Sequence, residues 1–161
     1  MRSEERSLVW VDRKGQQELI PAPPRQYVSA RLSPDGTQVA LEIRDQQNDI
    51  WIWDLQRHDG SPRRLTFDTG QQPTWTSDGK WIVFSSARTG APTLFRHAAD
   101  GSGTDQRLTS GGYPQFVDAI MPDGRAIGFE VVGTQYLTLF SLKAALGLND
   151  SPILRGQADA S

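Results

Sequence analysis

The feature that most constrains this chain is a four-residue motif that returns at a nearly fixed spacing. Ser33-Pro34-Asp35-Gly36 is followed by Thr76-Ser77-Asp78-Gly79 and by Met121-Pro122-Asp123-Gly124, so the aspartates stand 43 and then 45 positions apart. A second motif, Arg64-Leu65-Thr66, recurs as Arg107-Leu108-Thr109. A period of about 40–45 residues is the length of one four-stranded β-propeller blade. The spacing therefore predicts an all-β repeat fold.

Between these turns lie short runs of aromatic and β-branched residues, which favour strands. Val39-Ala40-Leu41-Glu42-Ile43 has the period of two that indicates a strand. Ile50-Trp51-Ile52-Trp53 is apolar on both faces, as expected of a strand between two packed sheets. Residues 142–148 alone have a pattern that predicts a short helical turn. Further strands are predicted at Trp81-Ile82-Val83-Phe84, Thr93-Leu94-Phe95, Ile127-Gly128-Phe129-Glu130-Val131 and Tyr136-Leu137-Thr138-Leu139-Phe140.

Alignment of the repeats predicts how many blades the chain forms. Residues 8–12 align with residues 50–54, so the chain is expected to begin on the third strand of a blade. About fourteen strands in about three and a half blades leave the ring open, because closed propellers have about 4–8 blades. We expect one domain over residues 8–155 with flexible ends at 1–7 and 156–161, made of a partial blade at 8–20 and blades at about 27–66, 71–109 and 113–155, with Ile153-Leu154 as a weak last strand.

An open ring leaves apolar residues at both ends of the array. Val9-Trp10-Val11 begins it, and Leu137, Leu139 and Phe140 nearly close it, although terminal repeats need polar caps to stay soluble. Exposed apolar patches of this kind mark an interface or an aggregation risk. We therefore expect self-association, with two chains completing one ring of about seven blades. The alternative is that a longer parent protein supplies the missing blades.

Composition narrows the possible partners and compartments. The net charge of −2 and the pI of about 5.6 give no electrostatic signature of nucleic-acid binding, so we expect no nucleic-acid partner, although the seventeen basic residues leave a local cluster open. The chain has no cysteine, which excludes disulfides and thiolate metal sites. No apolar run has the length of a signal peptide core or of a membrane span. As written, the chain is expected to be cytoplasmic and not inserted in a membrane.

Two loop motifs resemble catalytic or metal-binding sequences. Phe67-Asp68-Thr69-Gly70 contains the triplet of aspartic proteases, but those enzymes need two such aspartates facing each other. The aligned segment Ser110-Gly111-Gly112 has no acid, so we interpret the triplet as a loop between blades. Asp100-Gly101-Ser102-Gly103-Thr104-Asp105 lacks the spacing of a calcium loop. We interpret it, like His58-Asp59-Gly60-Ser61, as a turn between third and fourth strands.

The chain lacks the residues of a recognisable catalytic centre. Its two histidines, His58 and His97, each fall near the end of a predicted third strand, so we expect exposure on the outer rim and no shared centre. A catalytic zinc site needs three ligands. Neither a Gly-x-Ser-x-Gly elbow nor any kinase signature occurs. We expect no enzymatic activity and no catalytic, metal or cofactor site, and ligand-binding residues stay unassigned.

The tryptophans and two loops are the remaining candidates for contact with a partner. Trp10, Trp51, Trp53, Trp75 and Trp81 recur at blade positions, where large rings pack between sheets. Trp75, on an inner strand, is the best candidate to line a central channel. The loops at residues 44–49 and 87–92 are polar, and loops held by a rigid scaffold are typical sites of partner contact.

The repeat motifs resemble the TolB-like, WD-repeat-related β-propeller family over about residues 8–142. The resemblance rests on Leu32-Ser33-Pro34-Asp35-Gly36, Asp49-Ile50-Trp51-Ile52-Trp53-Asp54-Leu55, Arg64-Leu65-Thr66 and the segment from Trp75 to Ser85. The start of the chain, Leu8-Val9-Trp10-Val11-Asp12-Arg13-Lys14-Gly15, is similar to the propeller attached to many bacterial Ser/Thr protein kinases. The third repeat departs from the family at Ala119-Ile120-Met121. The resemblance implies no shared ligand and no catalytic residues.

These observations favour a non-catalytic propeller that binds proteins or other ligands. One interpretation is the sensor portion of a bacterial signalling kinase, which would lie in the periplasm or outside the cell. The alternatives are the propeller domain of a prolyl-oligopeptidase-type hydrolase and a free-standing assembly protein. A downstream Gly-x-Ser-x-Gly elbow in a parent protein would favour the hydrolase.

Overall fold

The computed structural model describes residues 5–57, 61–124, 126–132 and 137–141. Its regular structure over these residues consists of strands, which confirms the all-β fold class. In the described part of the chain, no helix is long and apolar enough to cross a membrane. The predicted helical turn at 142–148, the strand Ile153-Leu154 and the end at 156–161 lie outside the described residues. The strands are β1 (Val9–Val11), β2 (Gln17–Leu19), β3 (Tyr27–Leu32), β4 (Gln38–Arg44), β5 (Asn48–Asp54), β6 (Arg63–Arg64), β7 (Gln71–Trp75), β8 (Trp81–Ser86), β9 (Thr93–Ala98), β10 (Gln106–Arg107), β11 (Gln115–Ile120), β12 (Ala126–Val131) and β13 (Leu137–Ser141).

The strands form four antiparallel sheets, in which strands adjacent in sequence are adjacent in space. β1 pairs with β2, β3 to β6 and β7 to β10 form two four-stranded sheets, and β11 to β13 form a three-stranded sheet. We call these sheets the first to fourth blades. The incomplete propeller is confirmed, and the limits of a single domain at 8–155 stay a prediction. Ahead of β1, Arg6 forms an antiparallel bridge with Arg25.

The Asp-Gly turns join the first and second strands of three blades. The Asp78 carboxylate accepts hydrogen bonds from the Thr76 hydroxyl at 2.6 Å and from the Lys80 amide at 3.0 Å. The Thr76 hydroxyl above all, and the Lys80 amide after it, hold the pKa of Asp78 below its ordinary value. Gly79 has φ +69°, a left-handed conformation that costs glycine little. The recurring Asp-Gly pair is therefore explained by the turn itself.

The core lies between successive sheets, as stacking of radial blades requires. Leu41 and Trp53 of the second blade pack against Ile20 next to the first. Three apolar clusters follow each other along the array: Ile20, Tyr27, Val39, Leu41, Ile43 and Trp53, then Ala40, Ile50, Ile52, Leu65, Trp75, Ile82, Phe84, Phe95 and Ala99, then Val83, Leu94, Val117, Ile127 and Phe129. The middle blades thus bury both faces of their sheets.

The Arg-Leu-Thr motif begins at the last residue of the short outermost strand, and its threonine bonds to the third strand. Thr66 donates its hydroxyl hydrogen to Asp49 at 2.9 Å and accepts the Ile50 amide at 2.9 Å. Arg64 forms an ion pair with Asp49 at 2.5 Å. In the next blade Thr109 accepts the amide of Leu94 at 3.0 Å in the same way. The threonine of the motif is therefore needed because its hydroxyl forms hydrogen bonds to the third strand of the same blade.

Candidate binding groove

A groove of about 600 Å³ lies on the outer side of the array, between the second and third blades. One wall is β6 with the crossing segment that follows it, and the other is the end of β9 with the turn that precedes β10. The groove brings together three features that the sequence analysis treated separately: the Asp-Thr-Gly triplet, the glycine-rich acidic turn and His97. His58 and the two residues after it lie outside the described residues.

The Asp-Thr-Gly triplet lies in the crossing between β6 and β7, which confirms its interpretation as a loop between blades. A Cβ atom at Gly70 would lie 2.8 Å from Cγ1 of Ile50 and 2.9 Å from Oγ1 of Thr66. The glycine is therefore required by close packing of the crossing on the second blade. Asp68 accepts the Ser86 hydroxyl hydrogen at 3.1 Å through its backbone carbonyl.

The glycine-rich acidic segment forms the turn between β9 and β10, as predicted. The Asp100 carboxylate accepts the Ser102 amide at 2.8 Å. Hydrogen bonds from Ser102 hold the pKa of Asp100 below its ordinary value. Within the described residues, no group of three or more histidine, aspartate or glutamate side chains is arranged to hold a metal ion.

His97 is buried, so the expected exposure on the outer rim is wrong for this residue. It is 8% exposed, and its Nδ1 lies 2.6 Å from Oδ1 of Asp105. The aligned positions in the second blade hold Trp53 and Pro62. Trp53 is 2% exposed, so this place in the third strand is a core position. Alignment of His97 with Trp53 is the sequence signal that would have predicted the burial.

Arg88, in the loop at residues 87–92, reaches the crossing segment through a hydrogen bond to the Thr69 carbonyl at 3.4 Å and contacts several groups of the third blade. Its guanidinium forms an ion pair with Asp105 and donates to the Ser86 hydroxyl at 3.0 Å. It also lies 4.7 Å from the centre of the Phe95 ring. Only 17% of the Arg88 side chain and 17% of the Asp105 side chain are exposed. These contacts fix the position of the Arg88 side chain and neutralise the buried Asp105 carboxylate.

Phe67 provides the exposed apolar surface of the groove. Phe67 lies on the crossing segment and is 65% exposed, although contact of a large apolar ring with water is unfavourable. Arg64 stacks on it, with the guanidinium carbon 4.9 Å from the ring centre. Sequence reasoning did not single out Phe67. The signal available was an aromatic residue in a polar crossing, where the aligned residue of the next repeat is Ser110.

The tryptophans have three environments: buried between blades, half-buried beneath an arginine in the middle blades (Trp51 and Trp81), and exposed on the first blade. Trp75 is 7% exposed in the cluster between second and third blades, and its Nε1 donates to the Arg31 carbonyl at 2.8 Å. It therefore belongs to the core and does not line an open channel. Trp51 is half-buried beneath Arg25, whose guanidinium carbon lies 4.6 Å from the ring centre. Trp10 is 44% exposed.

The predicted contact loops lie at the same end of their blades. The loop between β4 and β5 makes an ion pair between Asp45 and Arg25 at 2.9 Å. Gln47 of the same loop donates to the Phe67 carbonyl at 2.8 Å, so this loop supports the crossing that carries the exposed ring. Contact of these loops with a partner stays a prediction.

Comparison with known proteins agrees with this architecture. An uncharacterized protein of Agrobacterium fabrum is 36% identical over 100 residues, which are 60% of this chain and 33% of that protein. The uncharacterized protein YidR of Escherichia coli is 29% identical over 94 residues, 44% of this chain and 23% of that protein. The chain thus spans about a third of the length of the first of these relatives.

Solved structures show the same fold. TolB from Acinetobacter baumannii superposes with a TM-score of 0.68 at 24% identity, over 81% of this chain and 34% of that chain. A prolyl endopeptidase superposes with a TM-score of 0.58 at 15% identity, over 86% of this chain and 26% of that chain. At these identities the likeness concerns the fold alone. The family model for the TolB beta propeller domain matches residues 3–145, and the chain therefore belongs to that family.

Proposed function

We propose that this chain is a non-catalytic propeller segment that binds a peptide or an extended loop of a partner protein in the outer groove. The observation that carries the proposal is the exposed ring of Phe67 beside a wall whose charged side chains are paired with one another. Aromatic rings presented on a stiff surface are typical centres of binding energy at protein interfaces. An extended peptide segment has the shape that fits a groove between two blade edges.

The charged groups in the groove are paired within their own blades. Arg64 pairs with Asp49 in the second blade, and Arg88 pairs with Asp105 in the third. The Asp105 carboxylate also engages Nδ1 of His97, a contact that orients the histidine base in known catalytic triads. A paired histidine is not by itself an active site, because a reaction also needs a nucleophile or a substrate proton within hydrogen-bond reach. The proposal therefore rests on the ring of Phe67 and on the hydrogen-bonding groups of the turns, which are placed for contact with a ligand.

The sensor portion of a bacterial signalling kinase is the setting that we favour for such a module, and it places the groove in the periplasm or outside the cell. The support is the resemblance at the start of the chain, residues 8–15. The fold likeness to a prolyl endopeptidase supports the alternative that the segment belongs to a hydrolase. A full-length gene with a kinase domain and a membrane span upstream would favour the sensor. A nucleophile elbow downstream would favour the hydrolase.

The binding proposal is tested with a displayed library of random linear peptides, selected on the immobilised chain. Tyr113 is the matched control, since it is 59% exposed in the next crossing segment, outside the groove lining. Peptides that bind the groove are expected to lose at least about tenfold in affinity on Phe67→Ala, about 1.4 kcal/mol, and to bind Tyr113→Ala unchanged. Peptides that bind both variants equally well, or hydrolysis of ester or peptide substrates by the chain, would contradict it.

A further inference from the structure

Arginines alternate with aromatic rings beside the outermost strand of the second blade. The guanidinium carbon of Arg25 lies 4.6 Å from the centre of the Trp51 ring, and that of Arg64 lies 5.8 Å from the same centre. Arg64 also lies 4.9 Å from the centre of the Phe67 ring. The order is thus cation, ring, cation, ring, and Phe67 is the last member. We call Arg25, Trp51, Arg64 and Phe67 the arginine–aromatic row.

Each arginine of the row has a carboxylate of its own. Arg25 pairs with Asp45 at 2.9 Å, and Arg64 pairs with Asp49 at 2.5 Å. The face of an aromatic ring attracts a cation, and a carboxylate beside the guanidinium fixes its orientation through charge-assisted hydrogen bonds. A ring, an arginine and a carboxylate therefore occur together twice in the row.

At the end of the row the ring and a carboxylate are present without a further cation. Phe67 is 65% exposed although Arg64 lies beside it, so most of the ring is open to a ligand. Asp68 is the next residue, is exposed, and lines the same groove. Among the residues that the structure describes, no side chain forms a hydrogen bond or an ion pair with the Asp68 carboxylate. The end of the row thus offers two of the three groups that recur along it.

The other exposed charges of the groove compensate each other. Arg63 donates to the Ala99 carbonyl at 2.6 Å, and the Asp100 carboxylate accepts the Ser102 amide at 2.8 Å. Hydrogen bonds from Ser102, and after them the charge of Arg63, hold the pKa of Asp100 below its ordinary value. Asp68 therefore remains as the lining carboxylate for which the described residues provide no cation.

We propose that the groove binds a segment of a separate partner protein through one arginine, which stacks on the open surface of Phe67 and pairs with Asp68. This assignment rests on the proposed function of the groove and adds the chemistry of its ligand. Arginine is favoured over lysine because its planar guanidinium stacks on a ring and bonds a carboxylate with two N–H groups at once. The partner's arginine extends the row by one member.

The position of the groove favours a separate protein over further blades of the same propeller. The groove lies beside β6 and the turn before β10, at the outer edge of two adjacent blades. Further blades of a ring pack on the faces of the first and last sheets of the array, because each repeat contacts only its neighbours. An extended segment of a partner, in contrast, reaches an outer edge directly.

The test compares two displayed libraries of short linear peptides, one with a fixed central arginine and one with a fixed central glutamate. Both are selected on the immobilised chain, and the peptides that lose affinity on Phe67→Ala are retained. These are expected at least about tenfold more often from the arginine library, since a glutamate would face the Asp68 charge. Replacement of the peptide arginine by glutamine is expected to weaken binding about three- to thirtyfold, from one exposed cation–π contact and one exposed ion pair.

Asp68→Asn tests the ion pair, and Asp118→Asn is the matched control, because Asp118 is exposed too but lies outside the groove lining. The arginine peptides are expected to bind Asp68→Asn about two- to fivefold more weakly and to bind Asp118→Asn unchanged. On Asp68→Asn, replacement of the peptide arginine should cost less by the same factor, since the pair is already broken.

The outcomes separate this inference from the proposed function. Peptides that depend on Phe67 but tolerate loss of their arginine, or that bind Asp68→Asn and Asp118→Asn equally well, would overturn the arginine assignment and leave the peptide groove in place. If no peptide depends on Phe67, the proposed function fails, and the assignment fails with it. A dimer of the unmodified chain that Asp68→Asn converts to monomer in light scattering would also overturn it, because a second copy would then supply the cation.

Discussion

Replacement of Asp49 by threonine is predicted to destabilise the second blade, although threonine is the residue at the aligned position of the third, Thr93. Asp49 is 3% exposed and accepts hydrogen bonds from Thr66 at 2.9 Å and from Gln47 at 3.2 Å, beside the ion pair with Arg64. Removal of one partner of a buried ion pair costs about 3–5 kcal/mol. The Arg64 side chain is 34% exposed, so water solvates part of the charge left behind. We expect a loss of about 2–3 kcal/mol.

Urea denaturation measures this loss directly. With a slope of about 2 kcal/mol per molar urea, the unfolding midpoint should fall by about 1–1.5 M. Asp45→Thr is the matched control, because Asp45 pairs with Arg25 at 2.9 Å but 47% of its side chain is exposed. An exposed pair contributes about 0–1 kcal/mol, so its midpoint should move little. Equal midpoints for the two variants would refute the assignment of Asp49 as the buried anchor of the outermost strand.

Three further changes test the packing and the turns. Gly70→Ala places a methyl group 2.8 Å from Ile50 and should cost about 1–3 kcal/mol in thermal unfolding, while Gly112→Ala, with open space around it, should cost far less. Phe84→Ala empties a site that is 0% exposed and should cost about 3–5 kcal/mol, so a loss below about 1 kcal/mol would contradict the packed interface between blades. The pKa of Asp78 is lower in the folded chain than the ordinary value of 3.8, so its contribution to stability is complete above about pH 4 and is lost as the pH falls through the folded-state value. Asp78→Asn should therefore flatten this part of the acid unfolding profile measured by circular dichroism.

The repeat period and the apolar runs were enough to predict the strands and their order. The conformation of a tight turn depends on its own residues, so the turn at Asp78 and Gly79 could be predicted from sequence. The crossing at Gly70 could be predicted because the segment follows the outermost strand of a blade. The exposure of Leu32 could not be predicted from its own strand, because it depends on whether another blade lies beside it. Arg88 and Asp105 are separated by 17 residues, and their pairing depends on the hairpin between them.

The groove arises from departures of one repeat from the next, and this argues that it is specific to the second and third blades. His97 and Asp105 stand where the preceding repeat has Trp53 and Pro62. A buried histidine beside a buried carboxylate contributes less to packing than a tryptophan does. Judged by packing alone, the third blade therefore loses stability at this position relative to the second. A position at which the sequence departs from its repeat, with a loss of stability, is a candidate for function. His97→Trp and Asp105→Pro would restore the residues of the second blade, and Arg88→Gln would remove the cation that the loss of Asp105 leaves buried without its carboxylate. If this triple variant is more stable than the chain and no longer binds the peptides that depend on Phe67, stability was exchanged for binding at this groove, whereas a less stable variant would contradict that exchange.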